Sequence, residues 1–215
     1  MQKIMFNDRY GLTAAVLEGR KTMTRRIIPH QPEGNDWEIR FYNFSDHRYE
    51  DDPMKDPYFG SVAWQAPDGR NTGLNKLRWL PGEVVAIAQA YKDVQPYKEK
   101  PELYFSSKYL SHGWSNKMFV RADLMPHHIK ITDFKLERLQ DISDDDCLQE
   151  GIYPIKIEDV PQINETGVIY YSYSGVAGIW ETPREAFASL IGKVSGKGTW
   201  ESNPLVFCYE FELID

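Results

Sequence analysis

The sequence predicts an α+β domain that is mostly β, an antiparallel barrel or sheet carrying a few short helices. Strand-like runs outnumber helix-like ones, and they do not alternate with helices as a doubly wound parallel sheet requires. The helix signals that do occur are short, each opened by its own cap residue. At 215 residues the chain suits one domain over 1–215, with insertions around 30–80 and 91–116.

Lys3 to Phe6 reads as a short strand. Asn7 then caps a helix that buries Leu12, Ala15 and Val16; Gly11 weakens its first turn, and Gly19 ends it in the left-handed conformation. From Thr22 to Ile28 the residues alternate, so Met23 and Ile27 can face a core while Thr24 and Arg26 face the other way, and Pro29 closes the strand. His30 to Leu80 is rich in Asp, Gly, Pro and Asn, with strand-like islands at Trp37 to Tyr42 and Tyr58 to Trp64; it reads as an insertion or an elaborated hairpin. After the Pro81-Gly82 turn, Glu83 to Tyr91 is apolar on both faces, as a central strand would be. Tyr91 to Asn116 is irregular, and Val120 to Pro126 leads into the next element.

His128 to Leu139 carries the clearest alternation, with one phase slip near Asp133 that a bulge would explain. Ser143 and Asp146 form a capping box, so a short helix runs from Asp144 to Glu150 and stops at Gly151. Thr182, Pro183 and Glu185 repeat the start signal for a second helix that buries Phe187, Leu190 and Ile191. Gly192, Gly196 and Gly198 punctuate its exit, and Pro204 to Ile214 ends the chain as a strand. Trp180 and Trp200 read as core or loop anchors before base-stacking platforms.

The composition is that of an ordinary globular protein, with 41% hydrophobic, 27% charged and 13% aromatic residues. No apolar run approaches the roughly 18 residues of a membrane span. Met1 to Phe6 leads straight into charged residues, unlike a signal peptide. Cys147 and Cys208 suggest neither a disulfide framework nor a zinc site, which fits reduced thiols in a cytoplasmic protein. His127 and His128 are adjacent, so a strand would point them to opposite faces, and the other histidines are isolated; neither a metal nor a cofactor is expected. A net charge of −7 argues against broad affinity for nucleic acid. Yet the first thirty residues carry six Lys/Arg against two Asp/Glu, a local +4 that leaves −11 on the remainder. Any polyanion contact is therefore local to the N-terminal segment.

That segment contains Gly19-Arg20-Lys21-Thr22-Met23-Thr24-Arg25-Arg26, four cations and two hydroxyls at a helix–strand junction, where functional residues concentrate. Read as structure, it is a solvated basic edge whose threonines suit a strand. Read as chemistry, it offers Thr24 as a nucleophile and Lys21 as its base, with a lysine pKa depressed by Arg20, Arg25 or Arg26. Arg26 lies on the same strand face as Thr24 and can hold an oxyanion or a phosphate. Glu150, a carboxylate in the last turn of a helix, works against the macrodipole and calls for a partner.

Three blocks together resemble the ASCH domain. They are the basic stretch, the Pro81-Gly82-Glu83 turn before a central strand, and Leu136-Glu137-Arg138-Leu139-Gln140-Asp141-Ile142-Ser143 running to Glu150-Gly151-Ile152. A fourth, Gly196-Lys197-Gly198-Thr199-Trp200-Glu201-Ser202-Asn203-Pro204 followed by Phe211-Glu212, is similar to longer ASCH proteins of tailed phages and integrated elements. The resemblance implies a PUA-like antiparallel β-barrel with a cleft, and RNA or a modified nucleoside as partner. A small bacterial member removes the acetyl group of N(4)-acetylcytidine with the Lys and Thr of a G-R-K-T-x-T motif and a Glu beyond the central strand. Carried over, these fall on Lys21, Thr24 and Glu150, with Arg20, Thr22, Arg25 and Arg26 beside them as binding residues. Glu150 would orient Lys21 or protonate the leaving nitrogen, although its charge would raise the lysine pKa. Many long members have Arg-Glu where this chain has Ala88-Gln89; Gln89 can still hydrogen-bond a base edge. The alternatives to an amidohydrolase are a non-catalytic RNA-binding module and a phage accessory protein that binds another protein.

Overall fold

The computed structural model describes residues 1–32, 37–42, 60–94, 112–155, 170–173 and 178–215. Its centre is a five-stranded mixed sheet in the order β1-β6-β7-β10-β2, formed by β1 (Gln2–Ile4), β6 (Val84–Ile87), β7 (His128–Arg138), β10 (Leu205–Leu213) and β2 (Met23–Ile27). Only β1 and β6 pair in parallel; the other three ladders are antiparallel. The architecture is α+β, as expected from sequence; among the described residues no ladder joins β1 to β2, and the described strands form no closed barrel. The two outer strands, three and five residues long, are instead linked by a side chain: Arg26 Nη2 of β2 donates to the carbonyl of Met5, just past β1, at 2.8 Å.

Strand β7 explains its own phase slip. Glu210 faces Asp133 whereas Phe211 faces Ile131, so β7 carries one extra residue, a bulge that turns the alternation over at Thr132. Ile129 and Ile131 before it, and Phe134 and Leu136 after it, therefore share one face with Phe207, Tyr209 and Phe211. Without the bulge, Phe134 and Leu136 would point away from the main core. Strand β6 is buried on both faces, as its apolar run requires. Val85 and Ile87 join the main core, while Ala86 and Ala88 sit in a smaller cluster with Tyr91, Val94, Val120 and Met125.

The second and third ladders are peripheral. Strand β3 (Glu38–Tyr42) pairs antiparallel with β4 (Ser61–Gln65), and β4 with β5 (Asn75–Lys76), which makes the 30–80 insertion an elaborated hairpin where it is described. A hairpin of β8 (Tyr153–Ile155) and β9 (Tyr170–Ser172) has no counterpart in the sequence reading. Most of the expected irregular stretch from Tyr91 to Asn116, positions 95–111, lies outside the described residues.

The helices follow their caps. Asn7 accepts from Arg9 N and opens a 3-10 turn over Asp8–Tyr10; Gly11, at φ 67°, breaks from it into α1 (Leu12–Leu17). The single helix expected after Asn7 is thus two short pieces with a left-handed glycine between them. Ser143 Oγ accepts from Asp146 N at 3.1 Å and starts α2 (Asp144–Gln149). Only half of the expected capping box forms, because the Asp146 carboxylate is engaged by Arg25 and Lys135. Thr182 Oγ1 accepts from Glu185 N at 3.1 Å and starts α3 (Pro183–Val194), whose Ala186, Phe187, Leu190 and Ile191 are buried. A single turn, α4 (Thr199–Ser202), precedes β10. Trp200 packs edge-on to Phe187 and Trp180 stacks on Tyr173, both as anchors.

Gly151 is the hinge between α2 and the site. It has φ 102°, and a Cβ there would meet Ala15, Lys21 and Leu12 at 3.5–3.7 Å, ordinary contact distances. The requirement for glycine is therefore in the backbone, not in space. Gly151→Ala is expected to cost about 1–2 kcal/mol, read as a lower urea midpoint with an unchanged slope.

Candidate functional site: a basic cavity at the β2 edge

The helix–strand junction is pinned before any side chain acts. Gly19, at φ 71°, ends α1; the amides of Arg20 and Lys21 both donate to Ala15 O, and Thr22 N donates to Gln149 O of α2 at 2.9 Å. Lys21 is thereby turned inward, where only 2% of it is exposed. Its ammonium donates to Glu150 Oε2 at 2.5 Å, to Glu150 O at 2.9 Å and to Met23 O at 2.8 Å, so all three of its protons are engaged. Glu150 caps the C-terminal end of α2, and the cationic partner that this position demands is Lys21, joined by Arg25 at 3.1 Å from Oε1.

Arg25 is the hub of a larger set of charges. Arg25 and Lys135 both face Cys208 across neighbouring ladders, on the sheet face opposite Thr24. The Arg25 guanidinium donates to Glu137 Oε1 at 2.7 Å and to Asp146 Oδ2 at 2.5 Å, and Lys135 Nζ reaches the same Asp146 oxygen at 2.7 Å. Met23 is buried beside this group, but Ile27 is 38% exposed and Ile28, at 1%, enters the core in its place. The expected anchoring role of Ile27 is thus corrected: the buried isoleucine is Ile28, just past the end of β2.

The other face of β2 carries Thr24 and Arg26, in register with Tyr209 and Phe207 of β10. These four side chains open onto a cavity of about 890 Å³, also lined by Lys21, Glu150 and Arg25, by Phe6, Arg78, Trp79 and Lys117, and by the apolar residues of α3. That volume lies within the roughly 300–1,000 Å³ of small-molecule sites. Thr24 is 5% exposed, and its hydroxyl makes no hydrogen bond with another described residue. The Arg26 guanidinium carbon lies 5.9 Å from the ring centroids of both Phe6 and Trp79, and its buried Nε has no hydrogen-bond partner among the described residues. The indole N–H of the buried Trp79 is likewise unpaired. Seven Lys/Arg line the cavity against two carboxylates, in a protein of net charge −7.

Charge and burial compete differently at each cation. Burial is the largest influence on Lys21 and holds it below the usual lysine range; Glu150 opposes this, while Arg26 and Arg25 reinforce it. Burial also works against the charge on Arg25, but Glu150, Cys208 and Glu137 outweigh it and raise its pKa. At Arg26 burial and the nearby Arg78 win over Glu150, and its pKa is lowered. Burial pushes the Cys147 thiol up to about 12 and raises Cys208 as well, so neither is a ready nucleophile.

Of the residues nominated from sequence, Lys21, Thr24, Arg25, Arg26 and Glu150 come together around this cavity, and Arg20, Thr22 and Gln89 do not line it. Arg20 pairs with Glu18 and lies over Tyr153; Thr22 is 3.5 Å from Gln149 Oε1. Gln89 adjoins the smaller apolar cluster: its backbone N–H donates to Met125 Sδ, and its buried Oε1 has no hydrogen-bond partner among the described residues. Sequence reasoning missed Glu137, Asp146 and Lys135, and it missed Phe6, Arg78, Trp79, Lys117 and Tyr209 in the cavity wall. The one available signal was the charge count of the first thirty residues. Among the described residues no group of three or more His, Cys, Asp or Glu is placed to hold a metal, and no helix is long and apolar enough to cross a membrane.

Comparisons with protein-family models, with curated proteins and with solved structures find no match to this chain.

Two outcomes test the charge network. Arg25→Ala leaves three carboxylates, Glu137, Asp146 and Glu150, to share the two cations Lys135 and Lys21, so one buried charge is uncompensated, and is expected to destabilise the fold by about 3–5 kcal/mol at pH 7 in urea denaturation. The hydrogen bonds from Lys135 and Arg25 outweigh burial and hold Asp146 below the ordinary aspartate value of 3.8. A carboxyl with a depressed folded-state pKa stabilises above its unfolded value and loses that contribution as pH falls through the folded one. Asp146→Asn is therefore expected to lower the urea midpoint at pH 7, with the gap from wild type closing below pH 3.8.

Proposed function

We propose that this chain is an ASCH-type, PUA-like domain whose cavity takes a nucleoside or an exposed RNA base, and that it hydrolyses an N-acyl amide on a cytosine. The observation that carries the reading is that Lys21, Thr24 and Glu150, drawn from positions as far apart as 21 and 150, line a single cavity with aromatic rings and surplus cations. Aromatic faces suit a base, and cations suit its ribose-phosphate surroundings. The link from Arg26 to Met5 across the two outer strands supports a barrel-like curl of the sheet.

Thr24 Oγ1 attacks the acyl carbonyl carbon while Lys21, as the free amine, takes the hydroxyl proton. The resulting ammonium supplies positive charge to the oxyanion. As the C–N bond breaks, Lys21 returns the proton to the exocyclic nitrogen, and cytosine leaves with an amino group. Water then cleaves the Thr24 ester by the same proton path, releasing the carboxylic acid and restoring the hydroxyl. Burial, with Arg26 and Arg25 nearby, favours the amine form of Lys21, and its contact with Glu150 opposes it.

A non-catalytic binding module is the second reading. It is favoured by the full commitment of the Lys21 ammonium to three acceptors, the arrangement of a satisfied structural cation. Incubation with N(4)-acetylcytidine, followed by chromatography of cytidine, separates the two. Catalysis predicts turnover that is lost in Thr24→Ala, partly kept in Thr24→Ser, and reduced about 10²–10⁴-fold in Lys21→Ala. It also predicts kcat/KM rising with pH through a value below the usual lysine range, because the base acts deprotonated. Binding of cytidine with no release from the acetylated nucleoside would leave only the binding module.

A further inference from the structure

The cavity has more positive charge than its own carboxylates can neutralise, and the surplus is localised. Glu150 is occupied by Lys21 and Arg25, and Asp8 accepts from Lys117 at 2.7 Å. These are the only carboxylates among the lining residues. Arg26 and Arg78 have no carboxylate partner among the described residues, yet they sit close enough for Arg78 to disfavour the charge on Arg26. Their placement is constrained. The Arg78 guanidinium carbon lies 5.0 Å from the Trp79 ring centroid, and the Arg78 amide donates to Tyr209 Oη at 3.0 Å. Arg26 is held through one guanidinium nitrogen on Met5 O and flanked by Phe6 and Trp79. That leaves its buried Nε–H without an acceptor, beside the equally unsatisfied Trp79 N–H.

Two adjacent guanidiniums and two orphaned buried donors on one cavity wall are unfavourable without an anion, and a phosphoryl group supplies both the charge and the acceptor oxygens. We propose that Arg26 and Arg78, with the Trp79 indole N–H, form a phosphate subsite, so that the cavity takes a nucleotide, free or within single-stranded RNA, in preference to a bare nucleoside. The proposal rests on the nucleobase reading for Lys21, Thr24 and Glu150, which line the same cavity. It assigns the two groups of residues different tasks, with phosphate held by Arg26 and Arg78 and the base presented to Lys21 and Thr24.

Binding of cytidine, cytidine 5′-monophosphate, inorganic phosphate and a cytidine-containing RNA trinucleotide to the full chain tests this by calorimetry at low and high salt. Cytidine monophosphate is expected to bind about tenfold or more tighter than cytidine, as one charge-assisted hydrogen bond provides. The advantage shrinks with salt, and inorganic phosphate competes with it. Arg78→Gln, at an exposed position, and Arg26→Gln are each expected to remove most of the preference for the monophosphate over cytidine. A trinucleotide that binds tighter than the monophosphate points to RNA as the source of the phosphate, and the reverse order points to free nucleotides. Equal affinity for cytidine and its monophosphate, or a preference that survives both substitutions, overturns the subsite. Binding of phosphate and monophosphate alike, lost in Arg26→Gln, with none of cytidine, keeps the subsite and removes the nucleobase reading.

Discussion

The Glu150 carboxylate, divided between Lys21 and Arg25, is the contact on which the rest of the site depends. It joins the loop after α1 and the strand β2 that follows it to the end of α2, 125 to 129 positions away in sequence. Arg25 extends the chain of charges to Glu137, Asp146 and, through Asp146, Lys135. Three carboxylates and three cations thus form a balanced set, and all but Lys135, whose side chain is 41% exposed, are largely withdrawn from water. Each such ion costs several kcal/mol to desolvate, and the cost is offset only if every member keeps its partners. The interaction therefore acts less as a source of stability than as a constraint on arrangement, since any other docking of α2 on β2 would leave a buried charge unpaired.

This constraint divides β2 into two faces with opposite electrostatic tasks. The adjacent residues Arg25 and Arg26 show the division most directly. Arg25 points to the acidic face and its charge is secured by carboxylates; Arg26 points to the cavity, where burial and Arg78 work against its charge. A period of two in the backbone thus separates a structural arginine from one available to a ligand. Lys21, at the bend before the strand, belongs to both environments. Its pairing with Glu150 makes it structural, and it also lines the cavity together with Thr24.

Much of this architecture was legible in local sequence. Ser143 and Thr182 mark the starts of α2 and α3, and Gly19 and Gly151 mark exits that adopt positive φ. The phase slip near Asp133 marks the β7 bulge because alternation is a direct consequence of backbone geometry. Lys21, Thr24 and Glu150 were reached through a motif resemblance, and their shared cavity depends on how β2, α1 and α2 dock. Asp146 was legible only as a cap residue and Glu137 only as the polar side of a strand, because a charged residue looks the same in sequence whether it faces solvent or a buried arginine.

What the sequence by itself determined is therefore what depends on neighbours within about one helical turn or one strand: caps, left-handed glycines, the buried β6 run, the bulge, and the concentration of cations near the N-terminus. What only the tertiary structure decided is what depends on distant partners. The parallel pairing of β1 with β6, the open order of the sheet and the entry of Ile28 in place of Ile27 follow from long-range docking. So do the cavity wall built from Trp79, Arg78 and Lys117, and the direction of each shifted pKa. Local pattern records which way a side chain can point, whereas its charge state and its partner are set by the desolvation and Coulomb fields of residues a hundred positions away.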